Sequence, residues 1–205
     1  MFLMIENPGV APVESYTTIG LSTARGRADQ IGQFGSGTKQ AITLLLRKGI
    51  AVFVYLGNQK RLEFKVMKET IVDATGEKVA CHRVVYRINK GAWKSTSWTL
   101  DMGSQDWDHV NMALREFVSN ALDAVSRIKK LKERPQWAKG NLPEKETPDR
   151  VNIELTDNKR AKEGVTRVLL GRRGNPRYTV SRILEMEMGL EMGARITSSW
   201  TTVFC

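Results

Sequence analysis

Cysteine and histidine are scarce in this sequence. Two cysteines, Cys81 and Cys205, and two histidines stand among 205 residues. Neither their number nor their spacing makes a disulfide framework or a zinc site. His82 follows Cys81, but one such pair is not a metal site. No apolar run approaches the roughly 18 residues that span a bilayer. The opening MFLMIENPGV is short and soon acidic, unlike a secretory leader. The expected setting is therefore the reducing cytoplasm, with no membrane partner. Low-complexity tracts and repeats are absent too, which excludes solenoid and fibrous architectures.

What is present is ordinary for a globular chain: 41% hydrophobic and 26% charged residues. A chain of this length buries a core without disulfides or structural metal. The net charge of +10 is uneven. Residues 127–177 hold 15 Lys or Arg against 7 Asp or Glu, a net +8. Such a segment attracts nucleic acid or an acidic partner, or is a solvated basic face. Acids interrupt it, and few aromatics stand in it to stack on bases.

The pattern predicts a short strand at Phe2–Ile5, then a loop rich in Gly, Pro, Ser and Thr from Asn7 to Gly37. KQAITLLLRK, Lys39 to Lys48, reads as a helix stopped by Gly49. Strand-like runs follow at Ile50–Leu56, Arg61–Met67, Lys78–Ile88 and Ser95–Leu100. Turn residues Gly57-Asn58, Thr75-Gly76 and Asn89-Lys90-Gly91 separate them, which favours an antiparallel meander. From Trp107 to about Leu131, apolar residues recur at three- and four-residue steps, with Asp106 or Asp108 as the expected N-cap. Residues 132–150 read as a polar loop. Val151–Leu155 and Val165–Leu170 read as two more strands. The expected fold class is α+β: a two-layer sandwich with helices on one face of a mostly antiparallel sheet. Residues 1–170 are expected to form that domain. Residues 171–205 form a basic, Met-rich tail in which ILEMEMGLEMGA is a weak helix.

Two segments carry chemistry. IGQFGSGTK, Ile31 to Lys39, places Gly32, Gly35 and Gly37 just before a helix. Glycines let backbone approach a ligand, and the amides of a helix start favour an anion. Gly35, Ser36 and Gly37 are thus candidate phosphate contacts, with Lys39 adding charge. The spacing is neither a Walker P-loop nor a dinucleotide turn. LREFVSNALDA, Leu114 to Ala124, sets Glu116, Asn120 and Asp123 on one narrow helical stripe. An amide oxygen suits Mg²⁺, and a carboxylate one turn away suits the orientation or deprotonation of water.

Together the segments resemble the Bergerat-fold ATPases, the superfamily of gyrase B, the ninety-kilodalton heat-shock chaperones, MutL and sensor histidine kinases. LREFVSNALDA is similar to the family's N-box, E-x-x-x-N-x-x-D-A. The resemblance implies that Glu116 is the water-activating base, Asn120 the Mg²⁺ ligand and Asp123 part of the nucleotide site. IGQFGSGTK resembles the motif that closes the ATP lid, which implies phosphate contacts at Gly32, Gln33, Phe34, Gly35, Ser36, Gly37 and Lys39. IENPGVAPVESYTTIGLSTARG resembles the adenine-binding turn and the lid, here about residues 13–37. It implies Glu6, Asn7 and Gly9 at the base.

Two departures stand out. The N-box follows the other motifs, which implies a circular permutation. In the adenine turn, Glu6 stands where the family has Asp, Gly9 is displaced by one residue, and Val10 replaces the second glycine. The implied cofactors are ATP and Mg²⁺, and lid closure implies a homodimer, as in several relatives. Hydrolysis in the family commonly needs a cation from a following segment, for which Arg172, Arg173 and Arg177 qualify by charge and position. The competing reading is a non-enzymatic nucleic-acid or protein-binding module that uses the basic segment at 127–177.

Overall fold

Residues 50–99 build half of a sheet by folding back on themselves three times. β2 (Ile50–Leu56), β3 (Lys60–Val72), β4 (Lys78–Ile88) and β5 (Lys94–Thr99) form the expected meander. The computed structural model describes residues 2–20, 35–133, 150–160 and 162–172. Within them the sheet has seven strands in the order β5-β4-β3-β2-β7-β1-β6, every neighbouring pair antiparallel. The second half joins the ends of the described chain. β1 (Phe2–Pro8) lies between β6 (Asn152–Thr156) and β7 (Val165–Arg172). β7 in turn pairs with β2, from Ile50↔Arg172 to Leu56↔Thr166.

Turn chemistry explains the breaks. Gly57 and Gly76 take φ of 61° and 85°, and Asn89 takes 55°, where an Asn side chain is among the better tolerated. Asp73 closes the β3–β4 turn by accepting from Thr75 N, Thr75 Oγ1 and Glu77 N. Those hydrogen bonds, that of the Thr75 hydroxyl first, hold its carboxyl below the ordinary range. Beyond Val66 the β3–β4 hairpin leaves the core, and Ile71, Val72 and Val79 are exposed on it.

Alternation gives the sheet two different faces. Leu3, Ile5, Val52, Val54, Leu56, Leu62, Phe64, Val84, Val168 and Leu170 face one way and are buried under helices. α2 (Gly37–Arg47) supplies Ala41, Ile42, Leu44 and Leu45 to that core. α3 (Val110–Lys132) supplies Ala113, Leu114, Phe117, Val118 and Ala121. The chain is thus α+β, with these helices on one sheet face. A one-turn helix, α1 (Glu14–Thr17), precedes α2 and buries Tyr16. Arg47, in the last turn of α2, donates to the carbonyls of Leu100, Met102, Gly103 and Trp107. One guanidinium thereby fixes the loop that starts α3 beside the end of α2, so the two helices run antiparallel.

The opposite face buries Phe2, Met4, Tyr55 and Leu169, with Phe53 against them. It also buries an ion pair. Arg167 Nε and Nη2 lie 2.7 and 2.6 Å from Glu6 Oε2, and the two side chains are 2% and 4% exposed. Arg167 also donates to the Arg160 carbonyl.

Several expectations needed correction. β1 runs to Pro8 and β3 to Val72, longer than their apolar residues suggest. His109, not Asp106 or Asp108, sits at the N-cap of α3, with no side-chain cap bond. β7 continues through Gly171 and Arg172, so a boundary at residue 170 would cut a strand. Gly49 does end α2, with φ 72°. The loop at 134–149 and the tail from 173 lie outside the described residues.

The ion pair gives a stability test. Arg167→Met leaves the Glu6 carboxylate buried without its main partner and is expected to cost about 3–5 kcal/mol. Chemical denaturation measures it, and the double variant Glu6→Gln/Arg167→Met is expected to recover much of the loss. Equal losses in the single and double variants would show that the pair is not the source.

Candidate functional site

Two helices meet at a polar cluster. Glu116 and Asn120 stand one turn apart on α3, on the side that meets α2. The Asn120 Nδ2 donates to Glu116 Oε1 at 2.8 Å and to Thr38 Oγ1 at 3.0 Å. Both amide hydrogens are thereby used, and Oδ1 is the atom of Asn120 with which a cation would have to be met. Across some eighty residues of sequence, the stripe of Glu116 and Asn120 and the end of the Gly-rich segment are in direct contact.

The amino end of α2 lacks its own anion. Its first turn has no acidic residue, and Ser36 at the N-cap makes no side-chain cap bond. Gly35 takes φ 67°, which turns the chain into the helix. Glu116 supplies the missing charge from α3. A methyl group at Gly37 would fall 2.4 Å from Glu116 Cδ and 2.5 Å from each of its oxygens. Gly37 is therefore a seat for a carboxylate at the positive end of a helix dipole.

Lys39 lies beneath this seat. It is 1% exposed, and its Nζ donates to the carbonyls of Ser15 and Gly35 at 2.7 and 2.8 Å. Burial lowers its pKa from 10.5 to about 8, while the nearby Glu116 carboxylate pulls it back up. Lys39 is thus a buried tether between α1 and the start of α2. Its charge is still felt at Glu116.

The other candidates are spread. Asp123 is buried further along α3. Gly9, φ 82°, packs with its Cα side toward Ile128, where an added methyl would sit 3.6 Å from Cδ1. Ile128 is about 18 Å of helix rise beyond Glu116. Asn7 shares the strand parity of Leu3 and Ile5 and so lies on the helix side, its Nδ2 donating to the Pro8 carbonyl at 2.8 Å. Glu6 has the opposite parity. The structure does not bring it to the cluster: its carboxylate is on the far face, committed to Arg167 and 3.4 Å from Lys162 Nζ. Glu6 as a base contact therefore requires correction, for a pleat turns neighbouring residues to opposite faces.

Gly32, Gln33 and Phe34 lie outside the described residues, as do most of the lid, Arg173 and Arg177. Arg172 ends β7. The basic segment is also less available than its composition implies, because Arg167 is spent on Glu6. Among the described residues no group of His, Cys, Asp or Glu is arranged to hold a metal ion, and Cys81 is a free thiol. No described helix is long and apolar enough to cross a membrane. Sequence reasoning overlooked Thr38, the hydroxyl that ties Asn120 to α2, and the Ser15 carbonyl. The signal for Thr38 was its place beside Gly37 at the helix start.

Comparison with protein-family models, with curated proteins and with solved structures found no match.

Lys39 makes the stability of the chain depend on pH above about 8. The folded chain loses this proton near pH 8 and the unfolded chain near 10.5. Between those values the unfolded state binds more protons, so this residue's contribution to stability rises with pH. Below pH 8 both states are protonated and the burial penalty stands in full. Urea denaturation across this window is expected to show the rise in wild type and a flatter profile in Lys39→Met. Parallel profiles would mean that Lys39 titrates normally.

Proposed function

We propose that the chain binds Mg-ATP in the manner of a circularly permuted Bergerat fold, with the phosphates at the amino end of α2 beside Glu116 and Asn120. The carrying observation is the contact between the N-box stripe and that helix end, made through Asn120, Thr38 and Gly37. Backbone amides at Gly35–Gly37 and the helix dipole favour a polyphosphate. A polyphosphate there would share the positive helix end with Glu116, and a divalent cation offsets the repulsion between two such anions. Asn120 Oδ1 and the hard oxygen chemistry around it fit Mg²⁺, which would supply charge neutralisation at the terminal phosphates.

Within this reading Glu116 orients or deprotonates a water. Lys39 holds the Ser15 and Gly35 carbonyls and adds positive potential from below. At the base, Asn7 takes the place first given to Glu6, because it is on the side of α3. Hydrolysis is a separate property, since developing charge on the phosphates calls for further cationic donors.

Isothermal titration with Mg²⁺ and a non-hydrolysable ATP analogue tests the proposal. Wild type is expected to bind, and Asn120→Ala to bind at least about tenfold more weakly. No binding by wild type rejects the function, and equal binding by both rejects the role of Asn120. Glu116→Ala is expected to keep binding and lose any turnover; turnover retained by that variant would remove the base from Glu116.

Gly37→Ala separates site geometry from stability. Alanine gains up to about 0.5–1 kcal/mol over glycine within a helix, less at its first residue, which partly offsets moving a flexible carboxylate. The melting temperature is expected to stay within about 5 °C of wild type, while analogue affinity falls about tenfold as Glu116 is displaced. Unchanged affinity would show that the seat at Gly37 is irrelevant to the ligand.

A further inference from the structure

A second concavity, rimmed by polar turn residues, lies on the sheet face turned away from α2 and α3. The β2–β3 and β4–β5 turns enclose a cavity of about 280 Å³, lined by Asn58, Gln59, Lys60, Arg61, Asn89 and Lys90, with Tyr55 also on its wall. Three lining residues are cationic and none is a carboxylate. Three others carry side-chain amides, which can donate N–H bonds to an anion.

Arg61 is the informative member. Its side chain is 34% exposed, yet Nε is covered and has no hydrogen-bond partner, so the guanidinium is open at its Nη end. A buried donor without an acceptor costs free energy and calls for an explanation. The nearest carboxylate does not provide one. Glu63 Oε2 is 3.8 Å from Arg61 Nη2, but it takes 2.9 and 2.6 Å bonds from Arg87 Nε and Nη2. The guanidinium also faces an aromatic ring: its Cζ lies 6.0 Å from the Phe53 ring centroid. Asn89 fixes the rim, its Oδ1 accepting from Arg61 N at 2.9 Å and its Nδ2 donating to the Gln59 carbonyl at 3.2 Å. The walls are thus tied together before any ligand arrives, which lowers the cost of ordering on binding.

We infer that this cavity is an anion site for a phosphate group, with Arg61 as the fork and Lys60 and Lys90 as flanking charges. Arginine offers planar, multiple donors matched to phosphate oxygens, and lysine adds compact charge. A free phosphate or a phosphate of a polynucleotide backbone would present the same oxygens. The site is independent of ATP binding at α2.

The test follows the Arg61 Nε–Hε resonance by NMR at constant ionic strength. Inorganic phosphate is one probe and a thymidine oligonucleotide the other. Phosphate is expected to shift this signal and the Asn58 and Asn89 side-chain amides saturably. Lys90→Gln, a change at an exposed turn, is expected to weaken that effect about tenfold, and Arg61→Gln to abolish the amide shifts. Absence of a saturable shift overturns the inference, as does a response unchanged in Lys90→Gln, which remains informative should Arg61→Gln fail to fold. If the oligonucleotide gives the same shifts more tightly than phosphate, the site takes a polynucleotide backbone. If only phosphate gives them, it takes a small phosphorylated ligand. Either result supports a phosphate site.

Discussion

The Glu116 carboxylate lying against Gly37 is the constraint on which the cluster depends. It places a negative charge from one helix at the positive end of another that has no acidic residue in its own first turn. That arrangement needs a residue without a side chain at Gly37, and it needs α3 held at one rotation about its axis. Asn120 provides the second condition by bonding both Glu116 and Thr38. Arg47 provides it again from the other end of α2, by gathering four carbonyls of the loop that starts α3. The antiparallel helix pair is thus pinned by polar contacts at both ends and by apolar packing between them.

The two sheet faces divide the remaining work. Under the helices the face is apolar, and polar side chains collect where α2 begins. On the other face, charge is buried or layered on aromatic rings. Glu6 and Arg167 satisfy one another, and Arg87 takes Glu63 while its guanidinium lies 4.6 Å from the Trp93 ring centroid. Lys65 lies over the same ring at 4.1 Å. Glu63 gives its short bonds to Arg87, and Arg61 Nε is covered without a partner.

Much of this was legible in the residues. β2 and β4 match their sequence patterns because apolar runs end at strong turn residues. The stripe of Glu116, Asn120 and Asp123 was legible because helical periodicity fixes which residues share a side. What could not be read had physical causes. The outer half of β3 has few buried residues and exists through pairing with β4. The burial of Lys39 depends on carbonyls of Ser15 and Gly35, which no side-chain pattern announces. Glu6 is a different case. Leu3, Ile5 and Asn7 stand in one parity, so alternation turns Glu6 to the other face, a signal in the sequence stronger than the likeness of one acid to a family motif.

The sheet order bears on how the cluster is assembled. β2 to β5 form from neighbours in sequence. β1, however, inserts between β6 and β7, and its partners lie about 150 residues away along the chain. Closing so long a loop costs little more than closing one of half the length, since the entropy grows only with the logarithm. The return is large, for β1 buries apolar residues on both of its faces. α2 packs on β2 in the meander half, and α3 packs on β1 in the other half. The bridge from Asn120 to Thr38 therefore joins the two halves of the sheet through their helices. α3, which carries Glu116 and Asn120, rests on β1, so the chain's first strand helps to set where the cluster's half of the bridge stands.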